Sequence, residues 1–213
     1  MVWLRSQDDY FHKERVRPIY FACTPHAILE TGKQCEDPLA RSLYFFLYLT
    51  GCRINEATDF QKSRLDIFPG YYKIRLKTLK QKKIEHSWRN IIIPKGKYSR
   101  CLENKMWTYV WDYIKDIDIT EKPFAKWKNM SEYVARKIDI EVEALVKIGD
   151  KEWIEKTFSK RFHPHLMRHF RAMHLADYYN MDAFKLCGFF GWRDSNQTRT
   201  YVNLKDLKDS FIQ

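Results

Sequence analysis

A chain of 213 residues with 45% hydrophobic side chains is long enough to bury a core and too apolar to be disordered throughout. Its 38 Lys and Arg against 27 Asp and Glu leave a charge of +11, which favours polyanionic partners, nucleic acid above all, or else a solvated basic surface. The five cysteines (Cys23, Cys35, Cys52, Cys101, Cys187) form no C-x-x-C pair, against a disulfide framework or structural zinc, and the longest apolar run, "LYFFLYL", is too short for a bilayer.

Residues 1–17 are polar and mixed in charge; they read as an arm or leader without the apolar stretch of a signal peptide. "TPHAIL" offers a Thr cap and Pro at the first helical position, predicting a short helix. "DPLARSLYFFLYLTG" repeats that start with Asp37 and Pro38. Leu39, Leu43, Phe46, Leu47 and Thr50 share a face, and the apolar character nearly wraps round, so this is a core helix ending at Gly51. "RINEATDF" begins a second helical stretch directly after it.

The period then changes to two. "RLDIF", the turn "PG" and "YYKIRLKT" read as strands, with Tyr72, Ile74 and Leu76 facing one way and Lys73, Arg75 and Lys77 the other. The loop "LKQKKIEH" leads to a third strand, "SWRNIIIP". Leu102, Met106, Tyr109, Val110, Tyr113 and Ile114 then recur at helical spacing. Further helices are predicted in 130–149, capped at Ser131, in 163–180, where Leu166, Phe170 and Met173 share a face, in the apolar "DAFKLCGFFGW", and as a turn in "SNQTRTYVNL". The fold class is α+β, mostly helical, with a small three-stranded antiparallel sheet.

Four junctions carry side chains able to do chemistry. Arg53 follows Gly51 at a break between helices, where it either caps the preceding helix or serves a site. Lys77 ends its strand, as an edge-blunting lysine or as part of a tongue entering a DNA groove. His165 and Arg168, three apart on one helix, either decorate a basic surface or converge an imidazole and a guanidinium on one anion. His163, His169 and His174 lie nearby as candidates for the surface reading, while a zinc site lacks the H-E-x-x-H pattern. Trp192 offers an indole N–H, and Tyr201 a phenol that is a weak nucleophile unless positive charge or a base assists it.

In order these read R…K…H-x-x-R…W…Y. The set resembles the tyrosine recombinases, the family of phage integrase, Cre and Xer, over about residues 20–205. "LYFFLYLTGCRINEATDF" is similar to the family's buried helix, Thr-Gly break and Arg-x-x-Glu segment, "RLKTL" to the start of its hairpin, "HPHLMRHFRAMHL" to its His-x-x-Arg helix, and "FFGWRDSNQTRTYVNL" to the segment leading to its tyrosine. "HPHLMRHFRA" and "FGW" are spelled most like archaeal and archaeal-virus integrases.

The resemblance implies a catalytic domain over 18–213 behind an arm over 1–17; full-length relatives carry an N-terminal core-binding domain, for which the sequence before residue 20 is too short, so the expectation is either a catalytic-domain fragment or a compact natural form. It implies that Arg53 and Arg168 clamp the scissile phosphate, that His165 and Trp192 donate to it, and that Tyr201 is the nucleophile. Lys77 best matches the lysine that protonates the leaving oxygen, with Lys80 and Lys82 as competitors on a long hairpin. Glu56 matches an acidic partner of the first arginine. Arg75, Lys80, Lys82 and Lys83 are expected to contact DNA. The implied activity is site-specific cleavage and rejoining of double-stranded DNA through a 3′-phosphotyrosyl bond, without metal, cofactor or ATP, in the cytoplasm and with self-association on DNA from dimer to tetramer. A topoisomerase-like nick-and-reseal enzyme and a non-catalytic DNA-binding regulator remain as alternatives.

Overall fold

The computed structural model describes residues 25–33, 35–78, 88–95, 102–127, 164–198 and 201. The arm over 1–17, the Thr24 cap, the hairpin lysines Lys80, Lys82 and Lys83, and the helix expected from Ser131 lie outside these residues. Among the described residues no helix is long and apolar enough to cross a membrane.

The architecture is mostly helical with one three-stranded antiparallel sheet. Helix α1 (Pro25–Lys33) leads into α2 (Pro38–Thr50), and α3 (Ile54–Thr58) follows after three residues. Strands β1 (Leu65–Ile67), β2 (Tyr71–Lys77) and β3 (Trp88–Pro94) come next, then α4 (Leu102–Ile114), α5 (Pro164–Asp177) and α6 (Ala183–Phe190).

Helix α2 begins as its sequence prescribes. The Asp37 carboxylate accepts from the N–H groups of Leu39 and Ala40, at 2.9 and 3.2 Å, and Pro38 occupies the first turn, where its missing N–H has no cost. It buries side chains on every face, because α1, α4 and α5 all pack around it. Phe46 lies 4.9 Å from Phe60 and 5.0 Å from Phe124 between ring centroids, and Phe45 stacks on Tyr109 at 5.3 Å. Each fully buried side chain of this size contributes roughly 1.5–3 kcal/mol of transfer free energy, so α2 organises the core.

The sheet follows the two-residue period. Ile74 and Leu76 of β2 face inward opposite Ile91 and Arg89 of β3, while Lys73, Arg75 and Lys77 lie opposite Ile92, Asn90 and Trp88 on the outer face. β1 pairs with β2 through Leu65–Ile74 and Ile67–Tyr72. Helix α6 covers the inner end of β3 and also packs on α5.

A buried ion pair ties α5 to α4: Arg171 donates to the Glu103 carboxylate. Burial acts to lower the pKa of Arg171, but Glu103, followed by Tyr48, outweighs it and leaves the guanidinium raised. Close by, the Tyr48 hydroxyl meets His174 Nδ1 at 2.8 Å, joining α2 to the same helix. Removing one member of a buried pair strands the other charge. Glu103→Ala is therefore expected to lower the unfolding free energy by roughly 3 kcal/mol, read from denaturant melts. An unchanged midpoint would mean that Arg171 finds another anion.

Candidate active site

The candidate site is built where α2 and α6 end. Both helices close on a glycine in the left-handed region, Gly51 with φ 57° and Gly191 with φ 63°, a conformation that an added Cβ strains. The two C-termini also approach closely: a Cβ on Gly51 would stand 2.3 Å from the Phe190 ring. Terminal helical carbonyls carry partial negative charge and lack intrahelical donors. Here two arginines supply the donors.

Arg168 of α5 donates from Nη1 to the Gly51 carbonyl at 2.6 Å and from Nη2 to the Phe190 carbonyl at 2.9 Å. Arg89 of β3 donates from Nη1 to the carbonyls of Thr50, at 3.3 Å, and Phe189, at 2.6 Å. Its Nη2 reaches the Glu56 carboxylate at 3.0 Å. Both arginines are almost fully buried, at 2% and 5% exposure.

Arg53 does not cap α2. It stands at the start of α3, where its backbone N–H donates to Glu56 at 3.1 Å and its Nη1 donates to the same carboxylate at 2.8 Å. The expected Arg53–Glu56 partnership thus forms, and capping of α2 falls to Arg89 and Arg168, whose side chains approach from other elements. The result is three guanidiniums around one buried carboxylate. Burial first, then the charges of Arg89 and Arg53, push Arg168 down to about 9, which leaves it protonated at neutral pH. A cluster short of negative charge, with two of its cations fixed by backbone carbonyls and the third by Glu56, is preorganised to receive an anion.

Tyr201 packs beside this cluster. It is 7% exposed, its ring lies parallel to Trp192 with centroids 5.6 Å apart and planes at 4°, and its hydroxyl is hydrogen-bonded to His169 Nδ1. Trp192 stacks in turn on Phe190 at 4.5 Å, and the Arg168 guanidinium lies 5.3 Å from the indole centroid. A continuous stack therefore joins the phenol to the arginine cluster. Burial pushes the Tyr201 phenol well above its ordinary range, and the charge of Arg168 opposes that only in part. At neutral pH the hydroxyl keeps its proton.

The structure thus gathers Arg53, Glu56, Arg168, Trp192 and Tyr201. His165 is exposed on α5, with its ring edge-on to His169 at 4.8 Å. Lys77 and Arg75 are exposed on the outer face of β2, and Lys77 is the last residue of the strand. The neighbouring Thr78 turns inward, where a Cβ on Gly191 would meet its Oγ1 at 3.0 Å, so the root of the hairpin abuts the end of α6. No group of three His, Cys, Asp or Glu side chains converges on a metal position among the described residues.

Two residues at the site escaped the sequence reading. Arg89 carried a signal: it shares parity with Ile91 and Ile93 in "SWRNIIIP", which places a cation on the buried face of a strand. His169 carried a weaker one, since it lies one turn from His165 and so shares its side of α5.

The model of the phage integrase family matches residues 25–208. No curated protein matches the chain. Among solved structures, the XerH site-specific recombinase in a post-cleavage complex with palindromic difH substrate is similar with a TM-score of 0.57 and 18% identity, over 88% of this chain and 50% of that one. The pre-cleavage complex of XerH gives 0.53 and 17%, over 89% and 52%. The XerA recombinase gives 0.57 and 18%, over 89% and 60%, so the present chain spans about half to three fifths of the length of these proteins. At such identities the likeness speaks for the fold, and the matched span of the family model carries the assignment: this chain belongs to the phage integrase family.

Proposed function

We propose that residues 18–213 form the catalytic domain, behind an arm over 1–17, of a site-specific tyrosine recombinase that cleaves and rejoins DNA through a 3′-phosphotyrosyl intermediate. The observation that carries this reading is the excess of fixed positive charge at the two helix ends, with a buried phenol stacked against it. A scissile phosphodiester supplies the missing anion. Its pentacovalent transition state gathers further charge on the non-bridging oxygens, where Arg53, Arg168, His165 and Trp192 donate. The resemblance to solved recombinases described as bound to their substrate supports double-stranded DNA as the partner.

The Tyr201 oxygen attacks phosphorus in line, the P–O5′ bond breaks, and Lys77 gives a proton to the departing 5′ oxygen. A 5′-hydroxyl then reverses the step, on the same strand or on a second duplex. The phosphotyrosyl bond conserves the energy of the broken linkage, so no nucleotide cofactor enters. Guanidiniums provide the charge stabilisation that metal ions provide elsewhere. Self-association on DNA, needed to exchange strands between duplexes, belongs to the same proposal.

The deciding experiment uses a duplex nicked just 3′ of the cleavage site, so that the short fragment bearing the new 5′-hydroxyl diffuses away and the covalent intermediate is trapped. The expected result is a protein–DNA adduct that survives SDS and forms in EDTA, followed by transfer to an added 5′-hydroxyl strand. No adduct at all would sink the reading, and a strict Mg²⁺ requirement would remove the metal-free mechanism. Binding should also respond to salt. Arg53, Arg168 and Lys77 share the scissile phosphate and Arg75 reaches a neighbouring one, so these contacts alone give a slope of log K against log salt near −1.8, or about tenfold in affinity between 50 and 200 mM. A flat response in a filter-binding titration would remove these phosphate contacts.

A further inference from the structure

We propose that His169 is the base that takes the phenolic proton of Tyr201 during cleavage and returns it during rejoining. This rests on the recombinase reading above and adds a catalytic residue to it.

Four observations converge on His169. Its Nδ1 is hydrogen-bonded to the reacting oxygen itself, the Tyr201 hydroxyl. The phenol is buried and keeps its proton at neutral pH, so it needs an acceptor before it can attack. The contact also joins two separate elements, since His169 comes from α5 and Tyr201 from the C-terminal segment. Finally, His169 is adjacent to Arg168, so the helix that places a cation of the cluster also places the base. An imidazole exchanges protons near neutral pH. With the ring proton on Nε2, Nδ1 accepts from the phenol. Lys77 is exposed and His165 has its ring turned edge-on to His169, whereas His169 itself touches the hydroxyl.

The step balances. The Tyr201 O–H bond breaks and an Nδ1–H bond forms on His169. The tyrosyl oxygen bonds phosphorus as the P–O5′ bond breaks, and the 5′ oxygen takes its proton from Lys77. In rejoining, the incoming 5′-hydroxyl gives a proton to Lys77, and the departing tyrosyl oxygen recovers the one held on Nδ1.

The alternative is that His169 only anchors the phenol, and asparagine separates the two. The Asn side-chain oxygen falls near the place of Nδ1 and accepts a hydrogen bond, but it cannot hold a proton at neutral pH. Single-turnover adduct formation on the nicked duplex, with DNA affinity and melting temperature measured alongside, is expected to slow about 10²–10⁴-fold in both His169→Ala and His169→Asn. Added imidazole should restore part of the rate to His169→Ala. Installing a fluorinated, more acidic tyrosine at 201 should recover much of the loss in His169→Asn, because such a phenol ionises without help. A His169→Asn enzyme close to the parent rate would overturn the proposal and leave His169 an anchor, as would a loss that the acidic phenol does not recover. If the parent protein itself forms no adduct, the recombinase reading fails and this inference falls with it.

Discussion

Tyr201→Phe is expected to abolish covalent capture of DNA, a loss of at least about 10⁴-fold, while leaving DNA affinity within about threefold of the parent. The substitution removes one oxygen. The ring remains able to stack on Trp192, which in turn packs on Phe190 and beneath Arg168. The buried hydroxyl has His169 as a partner, so its removal leaves one imidazole nitrogen to rearrange and does not empty a cavity. Stability should therefore change little, and the comparison of adduct yield with melting temperature isolates the chemistry. An SDS-stable adduct that persists in Tyr201→Phe would assign the nucleophile to another of the 13 tyrosines or to another residue class.

Arg168→Ala is expected to lose about 10²–10³ in cleavage rate, the scale of removing one preorganised donor from a transition state. It also carries a structural cost. The carbonyls of Gly51 and Phe190 lose their donor, and leaving them unsatisfied destabilises the fold by roughly 2–4 kcal/mol. Arg53→Ala separates the two effects. Arg53 is partly exposed, and its partner Glu56 retains the bond from Arg89, so its loss should slow cleavage with a smaller shift in the melting midpoint. Arg168→Lys is expected to recover part of the stability and little of the rate, because an ammonium cannot reach both carbonyls and a phosphate in the fork geometry of a guanidinium. Measuring rate, affinity and melting for the three variants tests the division of labour. If cleavage and binding fall equally in Arg168→Ala and Arg53→Ala, these arginines act in ground-state binding and the clamp is not a transition-state device.

The local structure was legible where a short-range rule governs it. Asp37 and Pro38 announced the start of α2, and Gly51 its end, because capping and left-handed closure depend on the adjacent residues. The alternation in "YYKIRLK" placed Ile74 and Leu76 inward, since a strand allows only two faces. The spacing from Leu102 to Ile114 located α4 for the same kind of reason. The candidates Arg53, Lys77 and Trp192 stand at the ends of such elements, and the Arg53–Glu56 contact at i,i+3 at the start of one short helix is a local interaction of this kind.

The described helices and strands, the sheet's two faces, and the order R…K…H-x-x-R…W…Y along the chain follow from the residues in one dimension. Which cation meets which carbonyl follows from how the elements pack. Arg53 follows Gly51 closely enough in sequence to cap α2, yet that work falls to Arg168 and Arg89, which are 117 and 39 residues from the carbonyls they hold. Likewise His169 became the partner of Tyr201 across 32 residues, and Trp192 the bridge between that phenol and the arginines. Periodicity and capping are properties of neighbouring residues and survive in one dimension. Hydrogen bonds between distant elements depend on how helices pack, and that packing is set by the shapes of the aromatic side chains in the core.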